Sequence, residues 1–207
     1  MRGTQSPHRT HAVCLLSVPL EIRREIYRYL LIQQNPIAVD LVYMFKQFFD
    51  RHGTSPGRDS RINILLASRQ VCEEALDVLY GENVFQIHLY DWDLNAISQF
   101  ACDNRQRIRR LRLLGHDLDL FYWKPATIES PIWPPILANL TRLHIVMQEP
   151  VRLIWLPGLF EEPYSFEQEA GEWLAWLKPI LEYVNQHLSS RAVVEVDHGN
   201  KEETRPA

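Results

Sequence analysis

The chain has 207 residues and a formal net charge of −4. Its length allows one large or two small domains, and its charge argues against a protein whose main task is to hold nucleic-acid phosphates. A hydrophobic content of 46% with 11% aromatic residues predicts a sizeable core.

Cysteine usage and hydropathy indicate a compartment. The three cysteines, Cys14, Cys72 and Cys102, are too few and too widely spaced for a disulfide framework, which favours a reducing environment. Residues 12–18 are too short and too soon followed by charge for a signal peptide, and no later stretch approaches membrane-spanning length. We expect a cytoplasmic or nuclear protein with no membrane partner.

The first predicted element is a helix from Pro19 to Ile32, because proline suits a first helical position. It carries two apolar strips. The first contains Ile22, Ile26, Tyr29 and Leu30, and the second, which lies beside it with Arg23 between them, contains Leu20, Tyr27 and Leu31. The combined arc is about twice the ~100° of a simple surface helix, so two packing partners are predicted.

The two strips lead to an expectation about burial. If this helix docks a partner, Ile22, Ile26 and Leu30 should be buried in the chain's own core. Leu20, Tyr27 and Leu31 should then be at least partly exposed. The alternative is that later elements of the chain bury both strips, as happens inside a two-layer domain. The sequence leaves both open.

A second helix is predicted from Ile64 to Tyr80, before Gly81, and it should pack on the first through Ile26, Leu30, Val71 and Ala75. Between the two helices we expect a short extended piece at Ile37–Val42 and a loop insertion at 44–61.

The rest of the chain alternates predicted strands and helices. The strands are expected at Val84–Leu89, Ile108–Leu113, Leu143–Met147 and Ala192–Val196. The helices are expected from Asp91 to Phe100, from Pro135 to Leu140, and from a Ser165–Gln168 capping box to Leu188, with a kink or break at Pro179. This order predicts a small α/β region with a partly parallel sheet. Strand spacings of roughly 34 and 50 residues are too uneven for a regular solenoid.

These elements divide the chain into four parts. Residues 1–11 and 197–207 are predicted to be disordered polar tails. Residues 12–102 form the helical region, and residues 103–196 form the α/β region.

Two stretches resemble the F-box-like proteins of filamentous fungi. Residues 18–27 read V-P-L-E-I-R-R-E-I-Y, close to the opening L-P-x-E-I-R-x-x-I-Y of that group. Residues 69–85 follow its R-Q-I-x-x-E-A-x-x-x-L-Y-x-x-N-x-F block, with Val71 in place of isoleucine and Ser68 in place of the preceding cysteine. The phrases Ile108–Leu113 and Leu137–Ile145 look like later strands of the same proteins. About thirty residues are inserted between the first two helices of the F-box, where about a dozen are usual, and the usual tryptophan of its last helix is absent.

The resemblance implies a fold and a partner. It implies F-box-like N-terminal helices followed by a small, irregular, leucine-rich-repeat-like α/β region. In F-box proteins the first region docks an Skp-type adaptor of a cullin ubiquitin ligase, and the later region recruits a substrate protein. Carried onto this chain, the partner-binding residues would be Pro19, Leu20, Arg23, Tyr27 and Leu31, with no cofactor.

Candidate chemistry is sparse. Three groups of residues have side chains of the kind that bind metals: His8 with His11, the three cysteines, and His116 with Asp117 and Asp119. None of these groups has the spacing of a zinc site. The segment 115–119 could supply an acid–base pair, but a turn after a strand explains it equally well. No nucleophile elbow, phosphate loop or dinucleotide fingerprint occurs. We therefore expect no catalytic residue, metal or cofactor.

Two further clusters have alternative interpretations. Five arginines are clustered in the sequence: Arg105, Arg107, Arg109, Arg110 and Arg112. They form either a phosphate-binding stripe or the outer face of a strand that pairs with acidic neighbours, and we favour the second interpretation. The expected acidic partners are Glu161, Glu162, Glu167, Glu169 and Glu172. The tryptophans Trp123, Trp133 and Trp155 either rim a binding surface or fill the core, and we favour the core.

The sequence thus predicts a non-catalytic protein–protein interaction module. Its specific form would be an F-box-type substrate adaptor of a cullin ubiquitin ligase. The alternative is a structural or interaction protein of the same fold with no ubiquitin link. An enzyme or a nucleic-acid binder is less favoured.

Overall fold

The computed structural model describes residues 14–39, 60–89, 97–115, 130–147 and 166–197. Within them lie five helices: α1 (Leu20–Leu31), α2 (Arg69–Glu82), α3 (Cys102–Arg107), α4 (Trp133–Leu137) and α5 (Phe166–His187). Five strands accompany them: β1 (Ile37–Ala38), β2 (Val84–His88), β3 (Arg110–Gly115), β4 (Arg142–Met147) and β5 (Val193–Asp197). Short 3-10 turns occupy Leu15–Ser17, Ser60–Leu66 and Ile97–Gln99.

The five strands form one sheet in the order β1-β2-β3-β4-β5, and every pair is parallel. The prediction of an α/β region is confirmed. The sheet was predicted to be partly parallel, and all of its described strand pairs are parallel. Each strand pairs with the next one along the chain. Helices α4 and α5 both contribute residues to the core that covers one face of this sheet.

One face of the sheet builds the main core. Side chains at alternate strand positions, such as Phe85, Leu111 and Leu143, are buried against Trp133 of α4 and Ile180 of α5. The alternation explains the strands, since every second residue of a half-buried strand points to the same side. The core interpretation of Trp133, which is 1% exposed, is confirmed.

A second, smaller core lies between α1 and α2. It contains Tyr27 and Leu31 of α1 with Val71, Ala75 and Val78 of α2. The prediction that these two helices pack on each other is confirmed, and Val71, Ala75 and the half-buried Leu30 take part as expected. Ile26, the fourth predicted contact, is exposed, and Tyr27 and Leu31 lie in the contact instead. Helix α2 begins later than expected: residues 60–66 form a 3-10 turn, and the Ser68 hydroxyl caps α2 by accepting from the Val71 N–H at 3.2 Å.

Helix α2 connects the two cores. Tyr80, near its carboxyl end, stacks on Phe85 of β2, and both rings meet Phe100 edge-on. The sheet and its core run from β1 through β5, so they cross the boundary predicted at residue 102. The smaller core is built from α1 and α2, and the main core receives β1 from between them and the elements that follow α2.

Three remaining predictions have mixed outcomes. Helix α5 is continuous through Pro179, where a kink or break was expected. Of the predicted helix Asp91–Phe100, only its last part is described, and Ile97–Gln99 is a 3-10 turn. The three cysteines are free thiols. Several predicted features lie outside the described residues: both tails for all or most of their length, most of the 44–61 insertion, the histidines and aspartates of the metal-like groupings, Trp123, Trp155, Ser165, Glu161 and Glu162.

Candidate functional site

The orientation of α1 decides which residues a partner could reach. Tyr27 is 0% exposed and Leu31 is 3% exposed, whereas Ile22 and Ile26 are on the surface. The expectation for a docking helix is therefore wrong for four residues: Tyr27 and Leu31 are buried, and Ile22 and Ile26 are exposed. Leu30, between these two pairs, is half-buried. Leu20 is exposed, as that expectation required.

The physical reason is a polar anchor within the buried side. Arg23, Tyr27 and Leu31 are spaced four residues apart and form one line along α1. The Arg23 side chain is buried because the Glu74 carboxylate of α2 lies opposite it: Nε and Nη2 donate to Oε2 and Oε1 at 2.8 and 2.5 Å. A buried charge needs such a partner. Sequence reasoning placed Arg23 between the two strips, assigned the core to Ile22, Ile26 and Leu30 in the docking case, and missed this pairing.

Further hydrogen bonds complete the network around Glu74. The Tyr27 hydroxyl donates to Oε2 at 3.0 Å, and the Gln70 amide donates to Oε1 at 2.9 Å. Arg23 Nη1 also donates to the Val18 carbonyl at 2.6 Å, which connects the chain before α1 to the same cluster. The hydrogen bonds from Arg23 are the main reason that the pKa of Glu74 is lowered from 4.5 to about 2, and burial raises the pKa of Tyr27.

Acid should loosen the contact between α1 and α2. A carboxyl whose pKa is lowered by folding stabilises the fold above its unfolded pKa, and that contribution is lost as the pH falls through the folded value. For Glu74 the window runs from 4.5 down to about 2. We expect the urea midpoint of the wild type to fall across this window. Glu74→Gln should be less stable at neutral pH and show a shallower fall.

Comparing the wild type with Glu74→Gln separates the effect of Glu74 on acid stability from the effects of other carboxyl groups. The pKa of Glu82 is also lowered, chiefly by hydrogen bonds from Arg28, so the wild type and the variant share that contribution. Identical slopes between pH 4.5 and 2 would show that the Arg23–Glu74 pair does not contribute to stability.

Asn83 is a second polar residue in the interior, 2% exposed. Its Nδ2 donates to the carbonyls of Leu31 and Leu79 at 3.0 and 2.9 Å, and its Oδ1 accepts from the Gln33 N–H at 2.8 Å. These bonds satisfy backbone groups at the carboxyl ends of both helices, which lack partners within their helix. Asn83 therefore connects α1 to α2.

The residues that carry the F-box-like resemblance thus act inside the fold. Arg23 and Tyr27 come from the opening motif, and Glu74 and Asn83 come from the second motif. Hydrogen bonds join one motif to the other. Of the five predicted partner-binding residues, Arg23, Tyr27 and Leu31 are buried, and this correction removes them from the surface. Pro19 and Leu20 are exposed at the amino end of α1.

An apolar surface remains on the other side of α1. Ile22, Ile26 and Tyr29 are 52%, 36% and 86% exposed. They follow one line because residues four and three apart share a helix face. We call these three residues the α1 strip. The remaining side of α1, neither buried nor apolar, is charged, with Arg24 and Glu25 among its exposed residues.

The second candidate surface is the face of the sheet opposite the main core. Gln86, Arg112, His144 and Glu195 are in register on β2, β3, β4 and β5, and none belongs to the main core. In-register residues of neighbouring strands lie about 4.8 Å apart and point to the same side. We call these four residues the polar row. The Arg112 Nε is buried and has no hydrogen-bond acceptor among the described residues.

The arginine cluster resolves into separate contacts. Arg107 pairs with Glu73 and Asp77 of α2 at 2.6 and 3.1 Å, and its pKa is raised chiefly by the hydrogen bond to Glu73. Arg110 donates to the Glu82 carbonyl at 3.1 Å. Arg109 donates to backbone carbonyls at residues 106 and 108. Arg107 thus pairs with acidic neighbours, as we expected for the arginine cluster. These neighbours lie on α2 and are not among the glutamates that were predicted as partners.

Comparison with protein-family models, curated proteins and solved structures finds no match. The F-box-like family therefore stays a prediction. In the described ranges no three side chains of His, Cys, Asp and Glu come together as ligands for a metal ion. None of the helices in those ranges has the length and hydropathy needed to cross a bilayer.

Proposed function

We propose that this protein is a non-catalytic protein–protein interaction module that binds a protein partner through the α1 strip. The observation that carries the proposal is the exposure of Ile22, Ile26 and Tyr29 along one face of a helix whose opposite flank is held in the core. Residues spaced by four and three on a helix are the usual anchors for a hydrophobic groove on a partner.

The contacts that hold α1 on α2 support a docking role. Two salt bridges to α2, from Arg23 to Glu74 and from Arg28 to Glu82, hold the helix in addition to its apolar contacts. A surface that is already ordered loses little conformational freedom on binding, so more of its contact energy appears as affinity.

The specific partner we propose is an Skp-type adaptor of a cullin ubiquitin ligase. The support is the resemblance of residues 18–31 to the opening F-box helix, together with the exposure of Pro19 and Leu20 at its amino end. In this form the α/β region would recruit a substrate protein.

A second candidate is an interaction protein of the same fold with no ubiquitin link. The observation that favours it is the internal use of Arg23, Tyr27, Glu74 and Asn83. A fold that needs these residues for its own packing would retain both motifs whatever its partner.

The test is a pair of charges placed on the α1 strip. Ile22→Glu combined with Tyr29→Glu should weaken binding to a purified Skp-type adaptor at least about a hundredfold, because each buried apolar side chain contributes about 1.5–3 kcal/mol. Titration calorimetry measures the affinity. The thermal midpoint should change little, since both positions are exposed.

Two controls match this variant. Arg24→Glu changes the net charge by the same amount on the charged side of α1, and Leu174→Glu removes another exposed apolar side chain, 57% exposed on α5. Both should keep wild-type affinity. A wild type that binds no adaptor would overturn the ubiquitin link. An unchanged affinity in the double variant would exclude the α1 strip as the docking surface.

A further inference from the structure

The edge strand β5 is apolar and exposed. Among the described strands it pairs with β4 alone. Three residues of this short strand are valines: Val193, Val194 and Val196, which are 54%, 46% and 74% exposed. Valine is among the residues that proteins most often bury. An uncovered strand edge is also a template for pairing with another chain. This edge is therefore a candidate interaction surface.

The apolar face of the main core continues onto β5. Val194 is in register with Leu143 of β4, and Val196 is in register with Ile145. In-register residues of neighbouring parallel strands point to the same side of the sheet. The two β4 residues are 0% and 3% exposed and belong to the main core, whereas the two valines do not. The core side of the sheet thus ends in an exposed apolar border on β5.

The hydrogen bonds from β5 to its neighbour use one side of its backbone. The Val193 N–H donates to the carbonyl of Thr141, just before β4, at 2.9 Å. Backbone groups of successive strand residues point to opposite sides, so those of Val194 and Val196 point away from β4. The described residues place no strand on that side. An additional strand can bond to these groups there.

The sequence of β5 favours antiparallel pairing with itself. When Val194 lies opposite Val194 of a second copy, Ala192 lies opposite Val196. Alternation along the strand places all three side chains on the core side of the sheet. Apolar pairs across two strands stabilise a sheet. This alignment therefore joins the apolar borders of the two copies.

The charges beside β5 agree with the same alignment. Arg191, in the turn before β5, comes to lie beside Asp197 of the second copy, and twofold symmetry repeats this pair at the other end. Centring the alignment on Glu195 instead would place two glutamates directly opposite each other, which is destabilising. Centring it on Val193 would place Val196 opposite a serine and leave it without an apolar partner.

We propose that this chain binds a second copy of itself through β5, with the two strands antiparallel about a twofold axis at Val194. The two sheets then continue into each other, and the pairing is complete with two copies because each uses the same edge. A single strand from each copy makes a small interface, so the dimer should dissociate on dilution. This surface is separate from the α1 strip, and the inference does not depend on the proposed function.

Sedimentation velocity of the full chain across the micromolar range tests the dimer. Val194→Lys combined with Val196→Lys should raise the dissociation constant at least about tenfold, because charges then replace the apolar pairs. Both positions are exposed, so the thermal midpoint should change little. Leu66→Lys combined with Leu174→Lys is the matched control, since these leucines are 83% and 57% exposed outside β5, and it should dimerise like wild type. A wild type that stays monomeric or assembles beyond a dimer overturns the proposal, and so does an unchanged dissociation constant in the valine variant.

An exchange of charges tests the alignment. Arg191→Asp brings carboxylates together at both ends of the paired strands, and Asp197→Arg brings guanidinium groups together, so each variant alone should dimerise at least about tenfold more weakly than wild type. A mixture of the two variants has opposite charges at both ends and should form a heterodimer with nearly wild-type affinity. Native mass spectrometry separates the heterodimer from both homodimers. Because the mixture contains both substitutions, damage to β5 itself would not be recovered. A mixture with no more heterodimer than homodimer would contradict the antiparallel alignment.

Discussion

Replacing Tyr27 with alanine is expected to lower the free energy of unfolding by about 3–5 kcal/mol, the cost of truncating a fully buried aromatic side chain. The ring is 0% exposed in the core between α1 and α2, and its hydroxyl donates to Glu74. Alanine would leave a cavity there and remove one of the hydrogen bonds that hold the buried carboxylate. Chemical denaturation followed by circular dichroism measures the change.

Two further variants separate the contributions to this loss. Tyr27→Phe keeps the ring and removes only the hydroxyl, so it should cost about 1 kcal/mol. Tyr29→Ala truncates the same kind of side chain two residues away, where it is 86% exposed, and should stay within about 0.5 kcal/mol of wild type. If Tyr29→Ala destabilised as much as Tyr27→Ala, the orientation of α1 described above would be wrong.

The contrast between Tyr27 and Tyr29 shows what sequence reasoning could not decide. The periodicity of α1 predicts two apolar strips, and two strips are present. Which one faces the core depends on Glu74, about fifty residues away, whose carboxylate makes the line through Arg23 the inner one. By hydropathy alone, an arginine such as Arg23 is expected to be exposed. The ion pair with Glu74 makes its burial favourable, and a helical wheel of α1 alone does not include Glu74.

The strands were easier to predict because their signal is local. Alternation of apolar residues located β2, β3 and β4 to within two residues, and the apolar spacing of α5 located a 22-residue helix. The alternation of strands and helices also indicated parallel pairing. The order of strands across the sheet is not encoded in any one segment, and neither is the alignment of Gln86, Arg112 and His144.

The arginines illustrate the same limit at the level of single side chains. Their spacing predicted that they line the outer face of a strand, which is correct for Arg110, whereas Arg105 and Arg107 lie on α3. The partners came from α2, which packs on α3 and brings Glu73 and Asp77 to Arg107.

Replacing Asn83 with leucine is expected to destabilise the protein by about 3 kcal/mol or more, even though the two side chains are similar in size. The substitution removes the side-chain partners of the Leu31 carbonyl, the Leu79 carbonyl and the Gln33 N–H. Each buried polar group left without a partner costs about 1–3 kcal/mol. The added apolar surface offsets only part of this loss. Chemical denaturation measures the total.

A local measurement distinguishes this mechanism from a general packing defect. The Gln33 N–H donates to Asn83 Oδ1 just after α1 ends, so its hydrogen exchange should accelerate in Asn83→Leu beyond the amount explained by the global loss of stability. Asn139→Leu is the matched control, because Asn139 is exposed although its amide donates to the Pro135 carbonyl at 2.8 Å. That variant should change stability by less than about 1 kcal/mol. Comparable losses at the two positions would mean that Asn83 does not connect the ends of α1 and α2. A large loss at Asn83 alone, with fast exchange at Gln33, would identify it as the polar link between the two helices.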